Sequence, residues 1–248
     1  MPKRKWKNTM ALKRINKFIA DSGITSRRKA EELILQGRVS VNDKVIIELS
    51  YRIDPDRDKV FIDGERVKTI KNAYYLLNKP RGTISTTNDE KNRKTVVELI
   101  KTQEKIYPVG RLDYNTTGVL LLTNDGDFSN LLTHPKNKVP KVYEVKLDKH
   151  LDETDKKELL KGVFIDRRRG KFVKITFANP KNRKMVEVES VEGRNHFVKK
   201  MFEALSYNVK SLNRKSFAGI KADIPLGTYR EMNKSEIQKL INKYSGKR

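Results

Sequence analysis

Val119-Leu120-Leu121-Leu122 is a run of four apolar residues, and its boundaries limit what the chain can do with it. Gly118 precedes it and Thr123-Asn124-Asp125-Gly126 closes it, with Gly110-Arg111-Leu112-Asp113 and Thr116-Thr117 just upstream. A run this short, bounded by turn formers at both ends, reads as a buried strand. Further strands are expected at 73–77, 142–147, 173–177 and 185–191, and helices at 95–101, 127–132, 154–161 and 196–205. Strands and helices do not alternate strictly, so the expected fold is α+β with a mixed, largely antiparallel sheet rather than a doubly wound one.

A smaller module is expected ahead of it at 11–70. Leu12, Ile15, Phe18 and Ile19 fit one helical face closed by Gly23; Ser26 is placed to cap a second helix whose apolar positions are Ala30, Leu33 and Ile34, ended by Gly37. Val39 and Val41 alternate as a strand, Asn42-Asp43 turns, and Val45 to Ile47 return; Val60-Phe61-Ile62 before Asp63-Gly64 reads as a strand entering a tight hairpin. The expected organisation is a disordered basic arm at 1–10, the module at 11–70, a polar joint at 68–72, a second domain at 73–235 and a basic tail at 236–248, the stretch from 234 on being a final basic helix or tail.

The chain carries 55 Lys+Arg against 31 Asp+Glu, a formal net charge of +24. The excess is spread, +7 over 1–70 and +17 over 71–248, as expected of an extended footprint for a polyanion. Nucleic acid is the expected partner, with an anionic membrane surface as the alternative. No apolar run approaches bilayer length and the N-terminus lacks the apolar core of a secretory signal, so a cytoplasmic location is expected. Cysteine is absent, which excludes a disulfide scaffold, a thiolate metal site and a Cys nucleophile. The three histidines, at 134, 150 and 196, are too scattered for a histidine-rich metal centre.

In the module, Arg27-Arg28-Lys29 opens the second helix, and Lys13-Arg14 and Lys17 belong to the first. Backbone N–H groups at a helix start favour phosphate and cations there reinforce it, although the same spacing also fits a solvated charged face. The string RINKFIADSGITSRRKAEELILQGRVSVN resembles the alpha-L RNA-binding motif found in a small-subunit ribosomal protein, tyrosyl-tRNA synthetases and several rRNA-modifying enzymes. The likeness covers about 11–58 and is specific at Ser26-Arg27-Arg28, Gly37-Arg38-Val39 and Val41-Asn42; Asp43 stands where a Gly is usual, which turn chemistry tolerates. It implies Arg14, Arg27, Arg28, Lys29 and Arg38 as RNA contacts.

Asp113 is the only carboxylate between Glu104 and Asp125, on a glycine-started turn at the mouth of the buried strand. A lone acid there is a cap, a turn residue or a catalytic group, and spacing does not choose. The surrounding motif resembles the pseudouridine synthases, in particular the RsuA/RluB branch that modifies ribosomal RNA. Leu77-Asn78-Lys79-Pro80-Arg81-Gly82, Lys141-Val142-Tyr143 and the stretch Glu192-Gly193-Arg194-Asn195-His196-Phe197-Val198-Lys199-Lys200-Met201-Phe202 extend the likeness over essentially 11–235. One departure is Phe197, where the branch usually has Gln.

The resemblance implies an isomerase that detaches uracil from its ribose, turns it and rejoins it through carbon, without cofactor or metal. Asp113 matches the essential aspartate, either as a covalent nucleophile or as the base that removes the ribose 2′ proton. Lys199 matches the cation that keeps it ionised against burial. Tyr143 matches the tyrosine that stacks on the base and assists the last deprotonation; without the resemblance it reads as a core strand residue. Val198 matches the aliphatic cover on the other face, and otherwise reads as helix core. Arg111 and Arg194 are implied as phosphate or extruded-base contacts and Lys141 as a substrate contact, while His196 reads either as an RNA contact or as a structural histidine. The implied substrate is a uridine of large-subunit rRNA, free or in a pre-ribosomal particle, acted on by a monomer. Small-subunit rRNA is the alternative, and a catalytically silent assembly factor on the same scaffold is the reading from another class. An Asp-based hydrolase lacks a second positioned carboxylate, a metal set or a Ser–His pair.

Overall fold

The computed structural model describes residues 12–246 apart from 178 and 180; the expected basic arm at 1–10 lies outside the described residues. The chain divides into two compact units, Met1–Asn72 and Ala73–Arg248. The first contains β1 (Lys13–Arg14), α1 (Ile15–Asp21), α2 (Arg27–Leu35), β2 (Val39–Val41), β3 (Lys44–Val45), β4 (Arg52–Ile53), β5 (Val60–Ile62) and β6 (Glu65–Arg66). Its sheet runs β3-β2-β5-β6, and β1 pairs separately with β4. Ile15, Phe18 and Ile19 of α1 pack with Ala30, Leu33 and Ile34 of α2 over Val39, Val41 and Val60. Ser26 caps α2 by accepting from the Lys29 N–H at 3.2 Å.

Asn42 and Asp43 take φ of 47° and 68°, the left-handed pair that closes a tight hairpin, so Asp43 does there what the usual glycine would. Two details differ from the expected pattern. Leu12 is 56% exposed rather than on the helical face, because pairing with β4 holds residues 13 and 14 extended and the helix starts at Ile15. The return strand ends at Val45: Val45 and Ile47 face solvent and Ile46 alone turns inward.

The second unit contains β7 (Tyr74–Lys79), β8 (Tyr107–Pro108), β9 (Thr117–Thr123), α3 (Gly126–Thr133), β10 (Lys141–Leu147), α4 (Glu153–Lys161), β11 (Val163–Ile165), β12 (Arg168–Gly170), β13 (Lys174–Phe177), β14 (Met185–Ser190), α5 (Phe197–Glu203), β15 (Val209–Phe217), β16 (Ile220–Lys221), β17 (Tyr229–Glu231) and α6 (Lys234–Tyr244). The sheet order is β13-β14-β10-β15-β9-β7-β17, with β8 beside β9 and β16 beside β15, while β11 and β12 form a separate hairpin. The fold is α+β with a largely antiparallel sheet; the parallel pairing is β9 with β15, Thr117 opposite Asn213 and Gly118 opposite Arg214.

The apolar run lies at the centre. Leu120 and Leu122 enter one core with Val145, Val186 and Leu212, and Val119 and Leu121 enter the other with Phe128, Leu132 and Phe217. A strand covered on both faces has no reason to alternate. Gly118, at φ 104°, lets β9 and β15 meet: a Cβ there would collide with the Arg214 carbonyl oxygen and the Asn213 side chain.

The segment expected as a helix at 95–101 is not one. Backbone bonds Ile84 N–H to Lys94 O and Val96 N–H to Ile84 O hold it against residue 84, and Thr95 bonds Glu98 through its hydroxyl at 2.8 Å before the chain turns. The segment expected as a basic tail at 236–248 is, through Tyr244, the body of α6. An Asn233–Glu236 capping box starts this helix, Arg230 grips Glu236 at 2.7 Å, and Leu240 is buried.

Candidate active site

Three separated segments converge on one pocket. The loop ahead of β9 brings Arg111 and Asp113, the start of β10 brings Lys141 and Tyr143, and the stretch leading into α5 brings Arg194, Val198 and Lys199.

The Asp113 loop is fixed from beneath by a residue to which the sequence reading gave no role. Lys79, at the end of β7, is fully buried, and its ammonium donates to the carbonyls of Pro80 at 3.0 Å, Asp113 at 3.1 Å and Thr116 at 2.9 Å. Three donors on one nitrogen thus satisfy three turns of loop backbone. Burial pushes this ammonium down to about 8; the Asp113 charge opposes the shift and Arg214 adds to it. Ser85 completes the anchoring, donating to Leu112 O at 2.8 Å and accepting from Leu112 N–H at 3.1 Å.

So held, the Asp113 carboxylate presents each oxygen to a different partner. Lys199 Nζ, on the first turn of α5, is 2.9 Å from Oδ2, and His196 Nε2 is 3.3 Å from Oδ1. His196 immediately precedes α5 at φ 54° and makes no capping bond to that helix. It stands as the second neighbour of the carboxylate, a placement compatible with both of its sequence readings. Asp113 and Lys199 keep about a quarter of their side-chain surface, 28% and 27%, so the pair remains reachable from solvent.

Tyr143 and Val198 are both buried on the pocket wall. Phe197, in the usual Gln position, is a core residue packed edge-on against Phe172 at 5.8 Å between ring centres, so no polar contact replaces the missing amide. Arg111 stands exposed at the rim. Arg194 is already committed: its Nε meets Glu192 at 2.7 Å, Nη1 donates to Ile165 O at 3.1 Å and Nη2 to Arg169 O at 3.3 Å, tying the β11–β12 hairpin to the pocket.

Arg214 is a member of the pocket that the sequence reading missed, because the strand carrying it was itself not legible. It sits opposite Tyr143 in the β10–β15 register, buried, with Nε donating to Val119 O at 2.7 Å; burial lowers its guanidinium below the ordinary value. Among the described residues no group of three or more His, Cys, Asp or Glu could hold a metal ion, and no helix is long and apolar enough to cross a membrane.

The five cations expected to contact RNA belong to the other unit, and all are exposed. Arg14, Arg27 and Arg28 make no ion pair with a described residue, whereas Lys29 pairs with Glu32 at 2.7 Å and Arg38 with Asp63 through Nε at 2.9 Å.

Residues 73–204, which hold every pocket member except those on β15, match the family described as RNA pseudouridylate synthase, and residues 13–58 match the S4 domain. At the level of class the molecule is an RNA-modifying isomerase: the chain belongs to the RNA pseudouridylate synthase family. It is 40% identical over 240 residues to an uncharacterized RNA pseudouridine synthase of Aquifex aeolicus (strain VF5), covering 92% of this chain and 93% of the relative. It is 38% identical over 234 residues to the ribosomal large subunit pseudouridine synthase B of Bacillus subtilis (strain 168), covering 92% and 96%. A crystal structure of a pseudouridylate synthase superposes with a TM-score of 0.67 at 30% identity, over 92% of this chain and 99% of that one.

Proposed function

We propose that the chain converts a uridine of large-subunit ribosomal RNA to pseudouridine, as a cytoplasmic monomer acting on the free RNA or on a pre-ribosomal particle. The observation that carries this reading is the Asp113 carboxylate, fixed by Lys199 and His196 in a pocket walled by Tyr143 and Val198. The large-subunit assignment is supported by the likeness to the Bacillus subtilis enzyme.

The target uridine leaves its stack to enter the pocket, at a cost of a few kcal/mol that is smallest in loops. Tyr143 lies against one face of the base and Val198 against the other. Asp113 opens the reaction at the ribose, by attack on C1′ or by removal of the 2′ proton; either role needs an ionised carboxylate, which Lys199 provides for. Tyr143 assists the closing loss of the C5 proton. Arg111 is the rim contact to phosphate or to the bases beside the target, Arg194 adds its positive charge there while its guanidinium holds Glu192 and the β11–β12 hairpin, and Lys141 is a contact to the substrate. The module at 11–70 grips phosphates with Arg14, Arg27, Arg28, Lys29 and Arg38, so specificity lies in RNA shape more than in base readout.

The test is incubation with unmodified transcripts of each rRNA followed by chemical mapping of pseudouridine. Product in the large-subunit transcript is expected. Product in the small-subunit transcript alone overturns the subunit assignment and keeps the chemistry; product in neither, with rRNA affinity retained, favours an assembly factor or a particle substrate.

A further inference from the structure

The ionic pairing inside the pocket is incomplete. Lys199 faces Asp113 and Arg194 faces Glu192, but Lys141 and Arg214 face no carboxylate. Lys141 Nζ donates to the Val139 carbonyl at 3.2 Å, and Arg214 uses Nε on Val119 O while its buried Nη2 makes no hydrogen bond. The two cations share one ring, at 5.8 Å and 4.7 Å from the centre of Phe217. Burial and then repulsion from Arg214 push the Lys141 ammonium down to about 8. A buried and a half-buried like charge on one pocket wall are unfavourable unless a negative charge joins them.

Uridine itself brings none to the base, but the reaction creates one. When C1′–N1 breaks, the bonding pair stays on N1 and spreads to O2 and O4, whichever way Asp113 has acted on the ribose. The ring then carries one negative charge until C5 bonds to C1′, when that electron pair becomes the new bond; the C5 proton afterwards departs and N1 takes one up. Fixed cations aimed at charge that exists only along the reaction path stabilise the path selectively. We propose that Lys141 and Arg214 are catalytic cations that hold the detached uracil anion between cleavage of the N-glycosidic bond and formation of the carbon–carbon bond. This rests on the isomerisation at Asp113 proposed above.

The experiment compares single-turnover consumption of two rRNA stem-loops, one with uridine and one with 5-fluorouridine at the mapped position. Fluorine withdraws electrons and stabilises the ring anion, so a leaving group that needs less help should suffer less from losing a cation. Lys141→Met should slow the uridine substrate at saturating RNA by about a hundredfold and the fluorinated one by less than about tenfold, with a melting temperature near that of the parent. Arg214→Lys should retain more activity than Arg214→Gln, and this conservative pair keeps the test valid where a larger change would unsettle the sheet.

A second readout is pH. The protonated form of Lys141 is the active one, so the parent rate should decline as pH rises through about 8, and Lys141→Arg should make that decline shallower, leaving only the share that Lys79 contributes. The other titrating groups facing the site are Asp113 with Lys199 and His196, Glu192 with Arg194, Tyr143, and Lys79 beneath the loop, and Lys141→Arg leaves each of them in place. Equal losses on both substrates, or an alkaline decline as steep in Lys141→Arg as in the parent, overturn the inference. A parent protein that isomerises neither stem-loop overturns the functional reading instead; an active parent with Lys141→Met within threefold of it overturns this inference alone.

Discussion

Arg14, Arg27 and Arg28 of the first unit stand in solvent without an ion pair to a described residue, whereas Lys79, Lys141 and Arg214 of the second are sunk among carbonyls, aromatic rings and each other. The residue types are the same and the physics is not. An exposed cation keeps its hydration, acts over a Debye length and is screened by salt. A buried one has already paid for dehydration, acts only on charge beside it and is nearly blind to salt. On the function proposed above, the first unit would supply affinity for a polyanion and the second discrimination between states of one nucleotide.

Changes within the second unit should therefore act on turnover or stability, and changes in the first on salt-dependent affinity. Asp113→Asn has the largest expected effect: isomerisation falls by more than about a thousandfold, while RNA binding stays within a few fold. Release of tritium from C5-labelled RNA measures the first and filter binding the second. A residual rate within tenfold of the parent would remove Asp113 from the chemistry.

Lys199→Met should lower turnover by roughly a hundredfold, because the carboxylate loses its charge-assisted partner, and Lys199→Arg should recover most of it. If the Arg variant is no better than Met, the lysine acts through its shape and not its charge.

Lys79→Met moves stability more than affinity, since it takes the ammonium from three loop carbonyls; Pro80 O keeps the Thr83 hydroxyl and Asp113 O the Thr116 N–H, so the loss of about 1–3 kcal/mol falls mainly at Thr116 O. Its pH signature has a definite sign. The folded-state value is about 8 and the unfolded one about 10.4, so below pH 8 the folded protein bears the whole cost of the buried charge. Between the two values the unfolded chain binds more protons and parent stability climbs with pH. The climb should be shallower in Lys79→Met, as urea melts at pH 7 and pH 10 would reveal; parallel curves would mean that Lys79 holds its proton equally well folded and unfolded.

The smallest effect is expected in the first unit. Arg27→Gln and Arg28→Gln should each reduce the slope of log affinity against log salt by about one unit and leave the single-turnover rate at saturating RNA unchanged. A changed rate would break the division of labour just drawn.

Asp113, Tyr143 and Lys199 were legible because each lies in a string whose residue types are specific, and the central strand was legible because an apolar run of that length has few uses. Thr95–Lys101 misled because Val96 and Ile100 are both buried at helical spacing while Thr95 bonds Glu98 and the backbone bonds Ile84. β15 went unread: Val209–Phe217 mixes lysines, an arginine and an asparagine with its apolar residues, having one neighbour strand on each side but a cationic pocket over part of its face. Arg214 followed it into obscurity. His196 could be singled out by type, but its bond to Asp113 depends on a left-handed backbone that no local pattern announces.

The pairing of β9 with β15 joins residues 96 positions apart, as the Thr117 hydroxyl bond to Asn213 at 3.0 Å records. On a ribosome this distance becomes a delay. The first unit has all its strands by residue 66, and Asp113 and Tyr143 emerge well before the segment that completes their wall. Domains fold as units from the N-terminus during synthesis, and closures over long separations come late. The growing chain therefore owns a finished first unit while its second sheet still has an unpaired central edge at β9. Its vulnerable interval is the one between residues 123 and 214, when that edge waits for its parallel neighbour.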